Sequence, residues 1–168
     1  AWFHNSIKQF ASAAKDYQRS LDLEPKNAWA MNGLAWLLAT CQQPEIRDPM
    51  RAVELARAAV ELAPKDPSLW NTLGVAHYRA GDFSSAVAAL EKAVALGSGG
   101  TAHDWLFLAM SHARAGNLDA ARPWYEKAVR HLESVPSPGQ EILRFRQEAE
   151  QLMTSPAAGD GPGRGQIF

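Results

Sequence analysis

The sequence predicts an all-α fold, a solenoid of stacked helix pairs, and three observations carry that prediction. Residues 67–100, PSLWNTLGVAHYRAGDFSSAVAALEKAVALGSGG, read as two amphipathic helices closed by a turn. The same order of large and small side chains returns further along the chain and, in part, further back. One pair cannot bury its apolar stripe alone, so copies must stack. Near the end, residues 138–153 form one more helix whose outer face is Glu, Gln and Arg. Such a polar cover is what a stack needs over its last exposed stripe.

Each element has its own signal. Residues 1–9, AWFHNSIKQ, are the least legible: Trp2, Phe3 and Ile7 fit the remnant of a helix or a short apolar lead, and Lys8 stands where a turn glycine is expected. Phe10 to Leu23 is helical by spacing. Asn27 caps a helix from Ala28 to about Thr40, and QQPEIRD then lengthens the following turn by roughly five residues. Asp48-Pro49 opens a helix running to Leu62, and Asp66-Pro67 opens the next by the same device. The Asp side chain accepts from the free amides of the first turn, and Pro at the first helical position lacks only an N–H that would go unpaired. Trp70, Leu73, Gly74 and His77 form its stripe, and Gly81 supplies a left-handed stop. Asp82 caps the partner helix, with Phe83, Ala86, Leu90 and Ala93 as its stripe and Gly97 as its end. Thr101 caps 102–115, and Asn117 caps 118–133. Pro123 removes one backbone bond inside the latter and is expected to kink or loosen its first turns. In 138–153 the apolar positions are Ile142, Leu143, Phe145, Ala149, Leu152 and Met153.

Aligning the copies is informative. Trp105, Leu108, Ala109 and His112 fall on Trp70, Leu73, Gly74 and His77. Gly116, Leu118, Ala121, Tyr125 and Ala128 fall on Gly81, Phe83, Ala86, Leu90 and Ala93. Leu34, Ala35 and Leu38, then Ala52, Ala56, Ala59 and Pro64, fit one copy back, and Phe10, Ala13, Tyr17, Ser20 and Pro25 match a second half only. This register resembles the tetratricopeptide repeat, whose ~34-residue signature runs Trp, Leu-Gly, Tyr, then Ala, a bulky residue, Ala and Pro. His77 and His112 replace the usual Tyr, and Gly97-Ser98-Gly99-Gly100 replaces the usual Pro-containing turn. The resemblance implies a right-handed α-solenoid over 1–154: a partial repeat at 1–27, repeats at 28–66, 67–101 and 102–136, and a capping helix at 138–153.

Composition bounds the function. Formal net charge is −1, and no block of like charge occurs, which argues against nucleic acid because phosphate binding needs a concentrated cationic face. No apolar run approaches the ~20 residues of a membrane span. Cys41 is the single cysteine, which excludes an internal disulfide and fits a reducing compartment such as the cytoplasm. A chain beginning at Ala1, in mid-repeat, reads as a fragment whose start lies upstream. The tail at 155–168 is Gly- and Pro-rich, and it orders only if something holds it, the groove of its own or a neighbouring copy being the nearest candidate.

No catalytic or metal-binding pattern emerges. His4, His77, His103, His112 and His131 make no HxxxH pair and have no Cys at ligand spacing, so neither metal nor cofactor is expected. His77 and His112 sit on packing stripes. Cys41 has nothing beside it in sequence to lower its pKa. GSGG at 97–100 lacks the GK[ST] of a phosphate loop and reads as a turn.

The resemblance instead points to an inner surface, because in this family the first helix of each pair lines a concave groove. Residues opposite the packing stripe would face it: Trp29, Asn32 and Trp36, then Asn71, Tyr78 and Arg79, then His103, Leu106, Met110 and Arg114. Arg79 and Arg114 match by position and are expected to hold one carboxylate together. With Asn71 they resemble part of the clamp by which some relatives hold a chaperone's acidic C-terminus, but the clamp lysines are absent. The expectation is a non-catalytic scaffold that binds a protein or peptide in this groove. The alternative is a self-assembling solenoid, a head-to-tail homo-oligomer joined through an open N-terminal stripe. LAWLLATC, RDPMRAVELA and WNTLGVAHYRAGDF also resemble repeat tails of large multidomain bacterial proteins.

Overall fold

The structure, a computed structural model, describes residues 2–154, with side chains from residue 9 onward. Among these residues there are eight helices and no strand: α1 (Trp2–Leu23), α2 (Ala28–Thr40), α3 (Pro49–Leu62), α4 (Pro67–Ala80), α5 (Phe83–Leu96), α6 (Ala102–Arg114), α7 (Leu118–Ser134) and α8 (Gln140–Thr154). The tail at 155–168, and the docking expected of it, lie outside the described residues. α2/α3, α4/α5 and α6/α7 pack as antiparallel pairs, each pair leans on the next, and α1 packs on α2. The molecule is an all-α solenoid with α8 closing it.

Side-chain caps set the helix starts. Asn27, Asp48, Asp66, Asp82, Thr101 and Asn117 each accept from a first-turn amide of α2 to α7 in turn. Thr101 and Asp104 form a reciprocal capping box. Gly81 and Gly116 end α4 and α6 with φ of 84° and 81°, a left-handed turn that lets Asp82 N–H and Asn117 N–H bond back to His77 and His112 carbonyls. The α2–α3 joint has no such glycine. There Asp48 N–H bonds to Leu38 O across a longer turn, and buried Gln43 accepts from Cys41 Sγ.

Large-on-small packing locks each pair. A Cβ on Gly74 would lie 2.5 Å from Leu90 Cγ, so only glycine admits α5 this close. Likewise the ring of Tyr17 in α1 lies over Gly33 in α2. The repeated tryptophans anchor turns: Trp70 Nε1 donates to Pro64 O, and Trp105 Nε1 donates to Gly99 O, each six residues back and each 2.8 Å. Lys127 Nζ also reaches Gly99 O and lies 4.3 Å above the Trp105 ring.

Of the two readings of residues 1–9, the helical one holds from Trp2: α1 runs on from there without a break, and residues 2–9 contain no Pro or Gly to stop it. The expectation at Pro123 fails: helix α7 runs unbroken past it. That proline is exposed, and the carbonyl it leaves free belongs to exposed Asp119, which water can serve.

Candidate functional site

Helices α2, α4 and α6 are the first members of their pairs, and together they form the inner face. Helix α8 lies across this face. It packs chiefly on α6 and only lightly on α7, whereas α4 and α6 each pack broadly on the helix before them. The shift carries α8 inward over the concave side. Its backbone stays clear of α2 and α4, and side chains make the reach.

Phe145 is the centre of that contact. It is fully buried, with its ring edge-on to Phe107 at 4.9 Å, His103 at 6.1 Å and Trp36 at 6.2 Å. Three residues on, Glu148 takes both terminal guanidinium nitrogens of Arg79, with Nη2 to Oε2 at 2.8 Å, and accepts from Tyr78 Oη at 3.2 Å. Arg79 also stands 5.2–5.8 Å from the ring centres of Tyr78, Phe107 and Phe145. Burial, then the Glu148 carboxylate, pushes the Tyr78 phenol well above its usual range, so it stays a donor. One residue before Phe145, Arg144 donates to the carbonyl of Thr40 in α2.

The predicted groove residues divide. Trp36, Tyr78, Arg79 and His103 meet under or beside α8. Asn71 Nδ2 donates to Asp104 Oδ1 at 2.8 Å on the uncovered side. Trp29 is exposed, and Asn32 is half-buried with an enclosed amide oxygen that has no hydrogen-bond partner among the described residues. Leu106 and Met110 do not line an open groove. Both are fully buried, as is Val75 at the position equivalent to Met110, so this row points into the stack. Arg79 and Arg114 do not share a carboxylate either: Arg79 holds Glu148, while exposed Arg114 lies over the Phe83 ring at 5.4 Å. Sequence reading missed Phe107, Phe145, Glu148, Arg144, Asp104 and Glu141 as site residues. The available signal was the spacing Phe145–Glu148, an aromatic and a carboxylate on one helical face.

Beside α8 the inner face stays open. A cavity of about 440 Å³ is lined by Trp36, Ser68, Asn71, His103, Asp104 and Glu141. A second of about 240 Å³ lies between α1, α2 and α8, against Phe10, Tyr17, Trp36, Thr40 and Arg144. Among the described residues no group of three or more His, Cys, Asp or Glu could hold a metal ion, and no helix is long and apolar enough to cross a membrane.

The sequence matches the tetratricopeptide repeat over residues 16–54, 45–101 and 105–127. The chain is a tetratricopeptide repeat protein. No curated protein matches it. Two crystal structures of MamA are similar, at 22% and 23% identity and TM-scores of 0.64 and 0.63. The alignments cover 89% and 88% of this chain and 87% and 81% of those. So is TTC0263, a thermophilic tetratricopeptide repeat protein of Thermus thermophilus, at 20% identity and TM-score 0.64, covering 88% of this chain and 74% of that one. These likenesses are of fold. Tetratricopeptide repeats build protein-interaction scaffolds, typically without catalysis, and this chain is a scaffold in that general sense.

Buried titration in this tetratricopeptide array has a testable sign. Desolvation lowers His103 below its ordinary 6.5, against the opposing pull of Glu141 and Asp104. His77 is lowered too, by burial first, with Asp82 opposing and Arg57 assisting. As pH falls through 6.5 these two histidines therefore bind more protons in the unfolded chain than in the native one, so their contribution to stability is fully present about one unit above 6.5 and is lost on acidification. The lowered Asp82 acts in a more acid window, below 3.8. His103→Gln should flatten the loss between about pH 7.5 and about 5.5 in urea unfolding curves; an unchanged slope means that His103 protonates freely in the native state.

Proposed function

We propose that the chain is a non-catalytic scaffold that takes a partner polypeptide segment on the uncovered part of its concave face. The observation behind this reading is the cavity of about 440 Å³ lined by α2, α4, the end of α5 with the α5–α6 turn, α6 and the first turn of α8. It pairs an aromatic wall, Trp36 and His103, with hydrogen-bonding groups on Ser68 and Asn71. That mixture suits an extended or turning peptide, whose apolar side chain needs a wall and whose backbone needs polar partners.

The test is peptide display panned on the purified chain, with enriched peptides titrated against two variants. Ser68 is exposed at the cavity mouth, so Ser68→Trp fills the space without deleting a packing contact. It should weaken the enriched peptides by at least ~tenfold, equivalent to ~1.4 kcal/mol. Leu62→Ala, at an exposed site on α3 outside this cavity, should leave them unchanged. Equal binding to both variants would remove the cavity from consideration.

A further inference from the structure

We propose that α8 is a built-in, displaceable occupant of the Tyr78–Arg79–Phe107 half of the concave face. The displacing partner is an amphipathic helix that presents an aromatic side chain with a carboxylate three residues further on. The inference rests on reading the concave face as an interaction surface, but it concerns the covered half, not the open cavity.

Four observations bear on how readily α8 can leave the array. It enters through Pro136-Ser137-Pro138-Gly139, which belongs to neither flanking helix and is largely exposed. No side chain among the described residues caps its first-turn amides, whereas α2 to α7 all have one. Three of its side chains, Ile142, Phe145 and Ala149, are buried, as few as in α7 and against nine in α6, so opening α8 alone exposes less apolar surface than opening a pair. Around its apolar seat of Ile142, Phe145 and Ala149 lie polar contacts to α2 and α4: Glu148 with Arg79 and Tyr78, and Arg144 with the Thr40 carbonyl. An apolar centre with a polar rim is what an interface between separable parts carries.

The seat also has a readable specificity. Phe107, Trp36 and His103 make a ring-edged slot for one aromatic side chain, which Phe145 fills. Arg79 and Tyr78 offer three donors to one carboxylate, which Glu148 fills. On a helix, residues three apart share a face, so a helix carrying Phe and Glu at that spacing satisfies both subsites at once. A competitor of this pattern would bind in proportion to the fraction of chains with α8 released.

The probe is a fluorescent peptide of residues 140–154, titrated into the chain of residues 1–168 and into its variant Arg144→Ala/Glu148→Gln, which keeps every apolar side chain of α8. The variant should bind the peptide at least ~tenfold more tightly than wild type, and the same peptide carrying Phe145→Ala should bind neither. Equal affinity for the two proteins, or binding to neither, overturns the proposal. Hydrogen exchange on wild type supplies a second reading should the variant not fold. Amides of α8 should exchange at least ~tenfold faster than those of α4 and α6; a common rate overturns the proposal. Light scattering on the same samples completes the test: a wild-type dimer made by exchanged α8 helices would identify the occupant as a second copy and overturn the external helix. Ser68→Trp should change none of these results, which separates this inference from the open cavity.

Discussion

Phe107→Ala is expected to cost about 3–5 kcal/mol of folding stability. The ring is fully buried where three helices meet. It stands 5.5 Å from the Tyr78 ring in α4 and 4.9 Å from the Phe145 ring in α8, both edge-on, and Arg79 lies 5.4 Å from its centre. Truncation removes its burial and leaves a cavity whose walls belong to separate helices. Those walls are fixed by the close contact of Gly74 with Leu90 and by the Trp70 and Trp105 anchors, so they collapse poorly into the space. Urea unfolding followed by circular dichroism measures the loss. A cost below ~1 kcal/mol would mean that the ring is already open to solvent and that α8 does not sit on α6.

Arg79→Met should cost about 1–3 kcal/mol, and Glu148→Gln should cost less in that background than alone. The two side chains are 20% and 30% exposed, so solvent screens the pair only in part. Removing the guanidinium leaves the part-buried carboxylate with the Tyr78 hydroxyl as its hydrogen-bond donor, beside a polar cavity that Arg47 and Arg144 also line. Methionine keeps the stem that packs on the rings. A double-mutant cycle isolates the pair from the packing and should return a coupling of about 1–2 kcal/mol. A coupling under ~0.5 kcal/mol would show that Arg79 stays in place through its aromatic contacts alone.

Much of this fold was legible because its determinants are local. Asp66-Pro67, Asp82, Thr101 and Asn117 announce helix starts whatever surrounds them, and Gly81 and Gly116 announce stops. The spacing of Trp70, Leu73 and Gly74 makes the pairing readable, since a missing Cβ opposite Leu90 has one packing solution. The inner face was legible only as a direction. Sequence spacing placed Tyr78, Arg79 and His103 on one side of their helices, but it could not say that residues some forty to seventy positions later return to cover them. Met110 shows the other limit. Periodicity alone does not distinguish a row facing the trough from one facing the neighbouring inner helix, because both lie away from the packing stripe. The arginines match by position, yet Glu148 stands within reach of one of them only, and no repeat signature encodes that asymmetry.

The bond from Arg144 to the Thr40 carbonyl spans 104 positions in sequence. A repeat array without it is a ladder of nearest neighbours, in which each rung can melt from an end and stabilities add along one dimension. Here the last helix reaches back to the first full pair and joins the two ends into a circuit. While α8 is seated, the last helix and the first full pair support one another, and release of α8 returns the array to a linear chain of repeats.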